Sequence, residues 1–524
     1  MSSITSSESD DSSDDLPEVG VNDLLDAIHG IKMPNGSFRM LRVGMQAVVS
    51  GIRQHDSFAM SSEVAAVAKR YDEIARARNA RLIMSNKIPD AMLPEHVPYC
   101  IWHPDVPSED TCRRLVQRHP DMKYHVGRTC AVAGYVGLYR ELDLLPDVSI
   151  AEEAREAGSI SLEIYEDITQ RLVRYSVMDD YTRKVDSEHP RQGAFINCDA
   201  AVKSLLEIRR NVRHYCKPYI PQTRSLRSDF DITEDGGIDG HDSAGEHNPP
   251  LAERHVPLLY SPLPLDLPTM NKDVLILMAA YEGNVDRYVR LRRPVMIPEE
   301  AQAVIRGIYH NTTFAKWWSL EVKSCTAAVW HLENIRAAFN ARFIMNNDLS
   351  AVFTLPPPYL IWYPLWPQEA TLEKLADMNP AMHLQIAHAC IVADYRRLYD
   401  TLGVRPSWIL WWESRHSYNP YYKADLERRS AELGFDVSSL EEKQKVRSRD
   451  INQWCTNRDK EPTDRFLWRE LAAVEMVDEQ GAGVYDDGFQ ANATDYNLFI
   501  CSSETMRAQL PKTGDGWVLY EEYE

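Results

Sequence analysis

The sequence lacks the features of a membrane protein or a secreted protein. No apolar run approaches the roughly 18 residues that cross a bilayer, and the N-terminal residues are Ser and Asp where a signal peptide needs a basic start and an apolar stretch. The nine cysteines are odd in number and include no Cys-x-x-Cys pair, which is typical of reduced thiols. We therefore expect a cytoplasmic or nuclear protein with no membrane partner.

Positive charge is also scarce. The sequence has 58 Lys and Arg residues against 78 Asp and Glu residues, which gives a net charge of -20. A field of that sign repels nucleic acid unless a local basic patch overcomes it, and the sequence contains no such patch. We therefore expect no nucleic-acid partner.

Catalytic motifs are missing as well. The sequence has no phosphate-binding Gly-rich loop with a Walker lysine, no Gly-x-Ser-x-Gly elbow and no His-Glu-x-x-His zinc motif. Histidines inside the repeats described below, among them His125 and His388, are interpreted as helix-surface or turn residues. The sequence thus predicts no catalytic residue, no cofactor and no metal ligand of this kind.

What the sequence does contain is enough apolar material for folded domains, separated by acidic and Pro-rich segments. Hydrophobic residues make up 44% of the 524 residues. Segments rich in Ser, Asp, Glu and Pro cannot bury enough apolar surface to fold alone, so they mark boundaries. The predicted organisation is a disordered acidic tail (1–20), a first helical repeat module (21–220), a disordered acidic and Pro-rich linker (221–268), a second, ankyrin-like helical repeat module (269–422) and a C-terminal helical and irregular extension (423–524).

The two modules are copies of each other. NARLIMSN at 79–86 and PYCIWHP at 98–104 recur as NARFIMNN at 340–347 and PYLIWYP at 358–364. From position 98 to position 142 the match holds at an offset of 260 without a gap. Such long-range self-similarity indicates a duplicated module of about 110 residues.

Apolar residues within a module recur at helical spacing. Val132, Tyr135, Leu138, Tyr139 and Leu142 follow three- and four-residue steps, which predicts one face of an amphipathic helix. The Pro-bounded segment 98–104 predicts a buried turn or extended loop that seats its Ile-Trp pair between helix pairs. Short antiparallel helices joined by tight turns make the predicted fold mainly α and α-solenoid-like.

One segment resembles the centre of an ankyrin repeat. Residues 276–288 read ILMAAYEGNVDRY. In the ankyrin family an Ala-Ala pair packs the first helix, a Gly ends it in a left-handed turn, and Asn or His precedes the second helix; Ala279, Ala280, Gly283 and Asn284 match this order. The Thr-Pro-Leu-His opening of the family is absent, so the units are degenerate.

The sequence is also similar to a group of uncharacterised proteins from filamentous fungi that carry such degenerate repeats, over about residues 20–220 and 270–420. The resemblance implies a helical array that presents a surface to a protein partner. It implies no activity, because a fold does not specify a function.

The linker contains a pattern that resembles a calcium-binding loop. Oxygen-bearing side chains stand at positions one, three, five, nine and twelve, with Gly at position six. The candidate ligands are Asp231, Thr233, Asp235, Asp239 and Asp242. Position twelve is Asp instead of the longer Glu, and prolines follow where an exit helix should begin. The alternative interpretation is a disordered acidic linker.

Tryptophans concentrate in the second half of the sequence. Trp366, Trp408, Trp411 and Trp412 are candidates for a binding surface, because rigid aromatic side chains form hot spots in interfaces and line apolar pockets. Two functions stay open. The first is a scaffold or adaptor for protein–protein interaction, and the alternative is an accessory enzyme or small-molecule-binding protein of a fungal metabolic pathway with a Trp-rich pocket.

Overall fold

A computed structural model describes residues 21–34, 42–180, 182–197, 253–270, 272–293, 296, 300–322, 329–352, 354–358, 360–362, 364–415, 417–439 and 441–442. They form two compact units: unit 1 holds the described residues up to 197 and 264–268, and unit 2 holds 253–263 and the described residues from 269 onward. The acidic tail and all five candidate calcium ligands lie outside the described residues.

Unit 1 is built from short helices, with two small hairpins near its end. The strands β1 (Tyr175–Ser176) and β4 (Arg191–Gln192) pair antiparallel, as do β2 (Met178–Asp179) and β3 (Lys184–Val185). The helices are α1 (Val21–Ile28), α2 (Arg42–Gln54), α3 (Asp56–Ala59), α4 (Ser62–Ala68), α5 (Asp72–Met84), α6 (Glu109–Arg118), α7 (Lys123–Ala133), α8 (Val136–Leu142), α9 (Val148–Ala157) and α10 (Leu162–Thr169), with 3-10 turns at Pro94–His96, Pro120–Met122 and Gly158–Ser161.

The described part of unit 2 is helical, and the prediction of a mainly α, solenoid-like fold is confirmed. Its helices are α11 (Asp273–Glu282), α12 (Val285–Leu291), α13 (Glu300–His310), α14 (Thr312–Glu321), α15 (Val329–Met345), α16 (Glu369–Met378), α17 (His383–Ala393), α18 (Arg396–Leu402), α19 (Trp408–Ser414) and α20 (Tyr421–Glu432), with 3-10 turns at Glu253–Leu259 and Pro380–Met382.

The duplication extends from sequence to contacts. Helices α6 to α9 begin 260 positions before α16 to α19. After α5 the backbone of Asn86 is left-handed (φ 62°), and its side-chain oxygen accepts a 2.9 Å hydrogen bond from Thr111. After α15 Asn347 repeats this conformation (φ 66°) and accepts from Thr371 at 2.8 Å. The same local chemistry therefore sets the entry to α6 and to α16.

One glycine in each unit permits a close helix crossing. A Cβ atom on Gly51 would lie 1.8 Å from the carbonyl oxygen of Ala27, where α2 crosses α1. A Cβ atom on Gly307 would lie 1.9 Å from the carbonyl oxygen of Ala280, where α13 crosses α11. Both distances are far below van der Waals contact, so only glycine fits at these crossings.

The Pro-bounded segments reach the core as predicted. Ile101 and Trp102 are buried in unit 1, and Ile361 and Trp362 are buried in unit 2. They lie in irregular backbone between helices, because prolines on both sides prevent a helix from continuing through them.

The prediction of one continuous apolar face from Val132 to Leu142 is wrong. Helix α7 ends at Ala133, Gly134 turns the backbone with φ 75°, and α8 begins at Val136. Tyr135 lies at this junction, is only half-buried, and donates its hydroxyl hydrogen to the carbonyl of Pro107 at 3.2 Å. Apolar residues keep their three- and four-residue spacing across this break. The sequence pattern therefore does not show that the segment forms two helices.

Part of the expected linker is packed. Leu259 and Leu267 are buried, and the Leu267 amide donates to the carbonyl of Ile196 at 2.8 Å. These leucines interrupt the Pro-rich composition and are buried, so residues 253–268 belong to folded structure. The expected boundary at 422 falls inside α20.

None of the helices among the described residues has both the length and the apolar character needed to cross a membrane.

Candidate functional site

Helix α19 presents three of the four candidate tryptophans on one side. Its N-terminus is fixed by Ser407, whose hydroxyl oxygen accepts from the amide of Leu410 at 3.5 Å. Positions 409, 410, 413 and 414 are buried, whereas Trp408, Trp411 and Trp412 are partly exposed and Arg415, just beyond the helix, is exposed. These four residues follow helical spacing and are called the tryptophan face below.

The rings of the tryptophan face are held in place by their neighbours. Trp408 and Trp412 stack with centroids 5.0 Å apart and ring planes 23° from parallel. The Arg415 guanidinium lies 4.9 Å from the ring centroid of Trp412 and 5.4 Å from that of Trp411. The Trp411 indole donates to Glu427 on α20 at 3.0 Å. Because these contacts already fix the side chains, a partner loses little conformational entropy on binding them.

Trp366 does not belong to this group. It lies in the segment before α16, with 53% of its surface exposed, beside the exposed Leu365. No ring contact within the described part of unit 2 joins it to the tryptophan face. The structure thus assembles three of the four predicted residues and leaves the fourth as a separate exposed side chain.

Sequence reasoning missed a buried charge cluster in unit 1. Arg128 on α7 donates to Glu153 on α9 at 2.9 Å and to Asp180 at 2.6 Å. Its guanidinium also lies 4.6 Å from the ring centroid of Trp102. The Tyr99 hydroxyl donates to Asp180 at 2.5 Å. Burial alone would lower the pKa of Arg128, but Asp180 and Glu153 together hold that pKa well above its usual value.

Unit 2 has a histidine and a glutamate at the positions equivalent to Arg128 and Glu153. His388 and Glu413 stand 260 positions after Arg128 and Glu153, and their side chains approach to 3.2 Å. The His388 ring stacks on Trp362 at a centroid distance of 4.1 Å. The interpretation of His388 as a surface or turn residue is therefore wrong: the side chain is fully buried.

His125 is likewise buried, against the same interpretation. Burial, and then the nearby charge of Arg128, lower the pKa of His125 from 6.5 to about 4. The imidazole therefore stays neutral at physiological pH and serves as a core residue.

The Cys112 thiol lies in the buried core of unit 1. Burial raises the pKa of Cys112 to about 12, which keeps this thiol protonated and poorly nucleophilic. Among the residues that the structure describes, no three His, Cys, Asp or Glu side chains are grouped as metal ligands. The charge cluster, with its ions fully paired and buried, is typical of a structural core.

Comparison with known proteins links part of the sequence to one protein family and to two proteins of a yeast. Residues 102–206, about a fifth of the whole, match the family described as YKP1 C-terminal domain, and this stretch includes Arg128, Glu153 and Asp180. No solved structure matches the protein.

Two proteins of Kluyveromyces lactis are similar to parts of the sequence. The "RF4 protein" is 33% identical over 85 residues, which is 16% of this protein and 19% of that one. The "Uncharacterized killer plasmid pGKl-2 protein 1" is 25% identical over 111 residues, 20% of this protein and 49% of that one. The match thus spans about a fifth of one relative and about half of the other. Both relatives come from a yeast, so the fungal part of the resemblance drawn from the sequence is confirmed.

Proposed function

We propose that this is a protein–protein interaction protein, a scaffold or adaptor, and that the tryptophan face is its binding surface. The observation that carries the proposal is the grouping of Trp408, Trp411, Trp412 and Arg415 on the partly exposed side of one helix. Trp and Arg are among the residue types most enriched at interface hot spots, and pre-stacked rings cost little entropy to engage.

The helix pair α11 and α12 supports the further proposal that the array is ankyrin-like. Gly283 ends α11 with φ 67°, and the Asn284 side chain accepts from the Arg287 amide at 3.2 Å to cap α12. This is the local arrangement that the Gly-Asn pair of an ankyrin repeat produces. In such an array, helices present a continuous surface to a partner.

The net charge supports a basic protein partner, and the free thiols support a reducing compartment. A net charge of -20 steers a basic protein toward this one and repels nucleic acid. Four described cysteines, Cys100, Cys112, Cys130 and Cys390, are free and buried. Free thiols suit a reducing compartment, so we place the interaction in the cytoplasm or the nucleus.

The alternative of a small-molecule pocket is less favoured. A ligand pocket needs aromatic side chains that converge on a concave cavity with a few polar groups. Trp408, Trp411 and Trp412 instead lie side by side along a helix and face outward in part. This geometry favours an extended protein surface as the occupant.

The proposal is tested by quantitative affinity capture with the full-length protein from its native cell. Trp411→Ala and Trp408→Ala should each lower recovery of a specific protein partner by about tenfold or more, as hot-spot truncations do. Trp366→Ala is the matched control, because it removes an exposed tryptophan outside the face. Circular dichroism melting of each variant shows whether the fold is kept.

Equal losses for all three variants, or no loss for the two variants of the tryptophan face, would contradict the proposal. A co-purifying small molecule with no protein partner would move the assignment to the alternative function.

A further inference from the structure

Because of the duplication, helix α9 of unit 1 has residues equivalent to the tryptophan face of α19. The equivalent residues, 260 positions earlier on α9, are Val148, Ala151, Glu152 and Arg155. The first three are buried, with 9%, 0% and 3% of their surfaces exposed. The same side of the same helix is therefore covered in unit 1 and partly exposed in unit 2.

The cover in unit 1 comes from residues that follow α10. The Asn197 amide donates to Glu152 at 2.8 Å, and Arg155 donates to the carbonyl of Leu267 at 2.7 Å. These two contacts use the counterparts of Trp412 and Arg415.

The start of α9 is held by later residues as well. Asp147 caps the helix and also accepts from the amide of Val177 at 2.6 Å. Residues that follow the helical array in sequence therefore contact both the start of α9 and its outer side.

In unit 2 the corresponding segment follows α20. Residues 443–524, 82 residues in all, come after the last described residue. Residues 443–524 have 16 Asp and Glu residues against 10 Lys and Arg residues. The acidic excess lies in 470–524, with 12 against 2, and this part also has scattered aromatic residues that include Trp517. The acidic and aromatic residues of 470–524 complement a face of tryptophans that carries the cation Arg415.

We propose that residues 443–524 cover the tryptophan face of the same molecule, as later residues cover α9 in unit 1. The segment is then a competitor that a partner must displace. The competition rests on the proposed function, whereas the covering itself does not.

The segment has an advantage over any other occupant. It is tethered shortly beyond α20, whose Glu427 contacts Trp411, so it acts at a high effective concentration. A second copy of the protein or an unrelated protein lacks this tether.

The test uses the full-length protein with a specific protease site inserted between 442 and 443. Hydroxyl-radical oxidation, read for each tryptophan by mass spectrometry, is measured before cleavage and after the released segment is removed. Oxidation of Trp408, Trp411 and Trp412 should rise several-fold on removal. Trp366 is the control within the same molecule and should not change. Circular dichroism after cleavage reports whether units 1 and 2 stay folded.

Equal oxidation of the tryptophan face before and after removal overturns the proposal. Protection that is lost on dilution of the uncut protein also overturns it, because the occupant is then a second copy. Carbodiimide cross-linking gives an independent readout: Lys423, which pairs with Glu427 at 3.8 Å, should link to carboxylates within 470–524 of the same molecule. The absence of these links would count against the segment.

The two proposals fail in different ways. If the segment protects the tryptophan face but no partner is captured, the proposed covering stands and the proposed interaction function fails. If Trp411→Ala loses the partner but the face oxidises equally with and without the segment, the proposed function stands and the proposed covering fails.

Discussion

At the scale of single residues, Arg128 is a side chain whose charge is held entirely inside the protein. It is fully buried and bonded to Glu153 and Asp180, so its removal leaves two carboxylates buried without their cation. We expect Arg128→Met to lower the free energy of unfolding by about 3 to 5 kcal/mol, measured by denaturant titration. The control is Arg113→Met, whose pairs with Glu109 and Glu141 are solvated and whose loss should be small by comparison. A neutral Arg128→Met would show that the cluster relaxes or hydrates.

His125 gives a prediction for pH. Folding lowers the pKa of His125 from 6.5 to about 4. Between pH 6.5 and pH 4, His125 is therefore protonated in the unfolded protein and neutral in the folded protein. Stability should therefore fall as pH drops from about 6.5 to about 4, by at most about 3 kcal/mol from this group. His125→Gln, which introduces the residue found at the equivalent Gln385, should flatten this part of the pH profile of unfolding.

The control for this profile is His119→Asn, which introduces the residue of the equivalent Asn379 at a half-buried position. An unchanged slope in His125→Gln would mean that other groups carry the pH dependence.

At the scale of helices, the glycine crossings are the features most easily broken. Gly51→Ala and Gly307→Ala each push a methyl group into a carbonyl oxygen of the crossing helix, at 1.8 and 1.9 Å. We expect each to lower the free energy of unfolding by about 1 to 3 kcal/mol, measured by thermal melting. Gly137→Ala is the matched control: nothing lies within 4 Å of its new methyl group, so it should be neutral or stabilise α8. Equal effects at all three glycines would contradict the account of the crossings.

The sequence predicts the helices and the duplication well because both are local or repeated signals. Spacing of apolar residues within a few turns defines a helix, and the constant offset of 260 aligns the copies. The break at Gly134 is missed because apolar steps continue across it. The Arg128–Asp180 pair is missed because its partners stand 52 positions apart with no periodic link.

One signal for the buried pair is present in the sequence. The offset that aligns identical residues also aligns Arg128 with His388 and Glu153 with Glu413. A basic residue and a carboxylate kept at both positions, with a change in the type of basic residue, indicate one interaction retained in both copies of a duplicated fold. The covering of α9 by later residues has no such signal, because the segments concerned lie outside the matched copies.

At the scale of the whole molecule, each compact unit has its own buried core, so a local defect should stay within its unit. We expect Gly51→Ala to accelerate amide hydrogen exchange in α1, α2 and α5 more than in α11, α13 and α15, and Gly307→Ala to do the reverse. Exchange that rises equally in both units for either variant would show that the protein unfolds as one cooperative body.

The central claim is that the outward side of α19 contacts another protein, and in-cell photo-crosslinking tests it most directly. A benzophenone amino acid is placed at position 412 of the full-length protein, and at position 366 as the control. The account predicts a discrete adduct with a second polypeptide from position 412 that is absent or much weaker from position 366. Equal adducts from both positions, or none from position 412, would contradict the account.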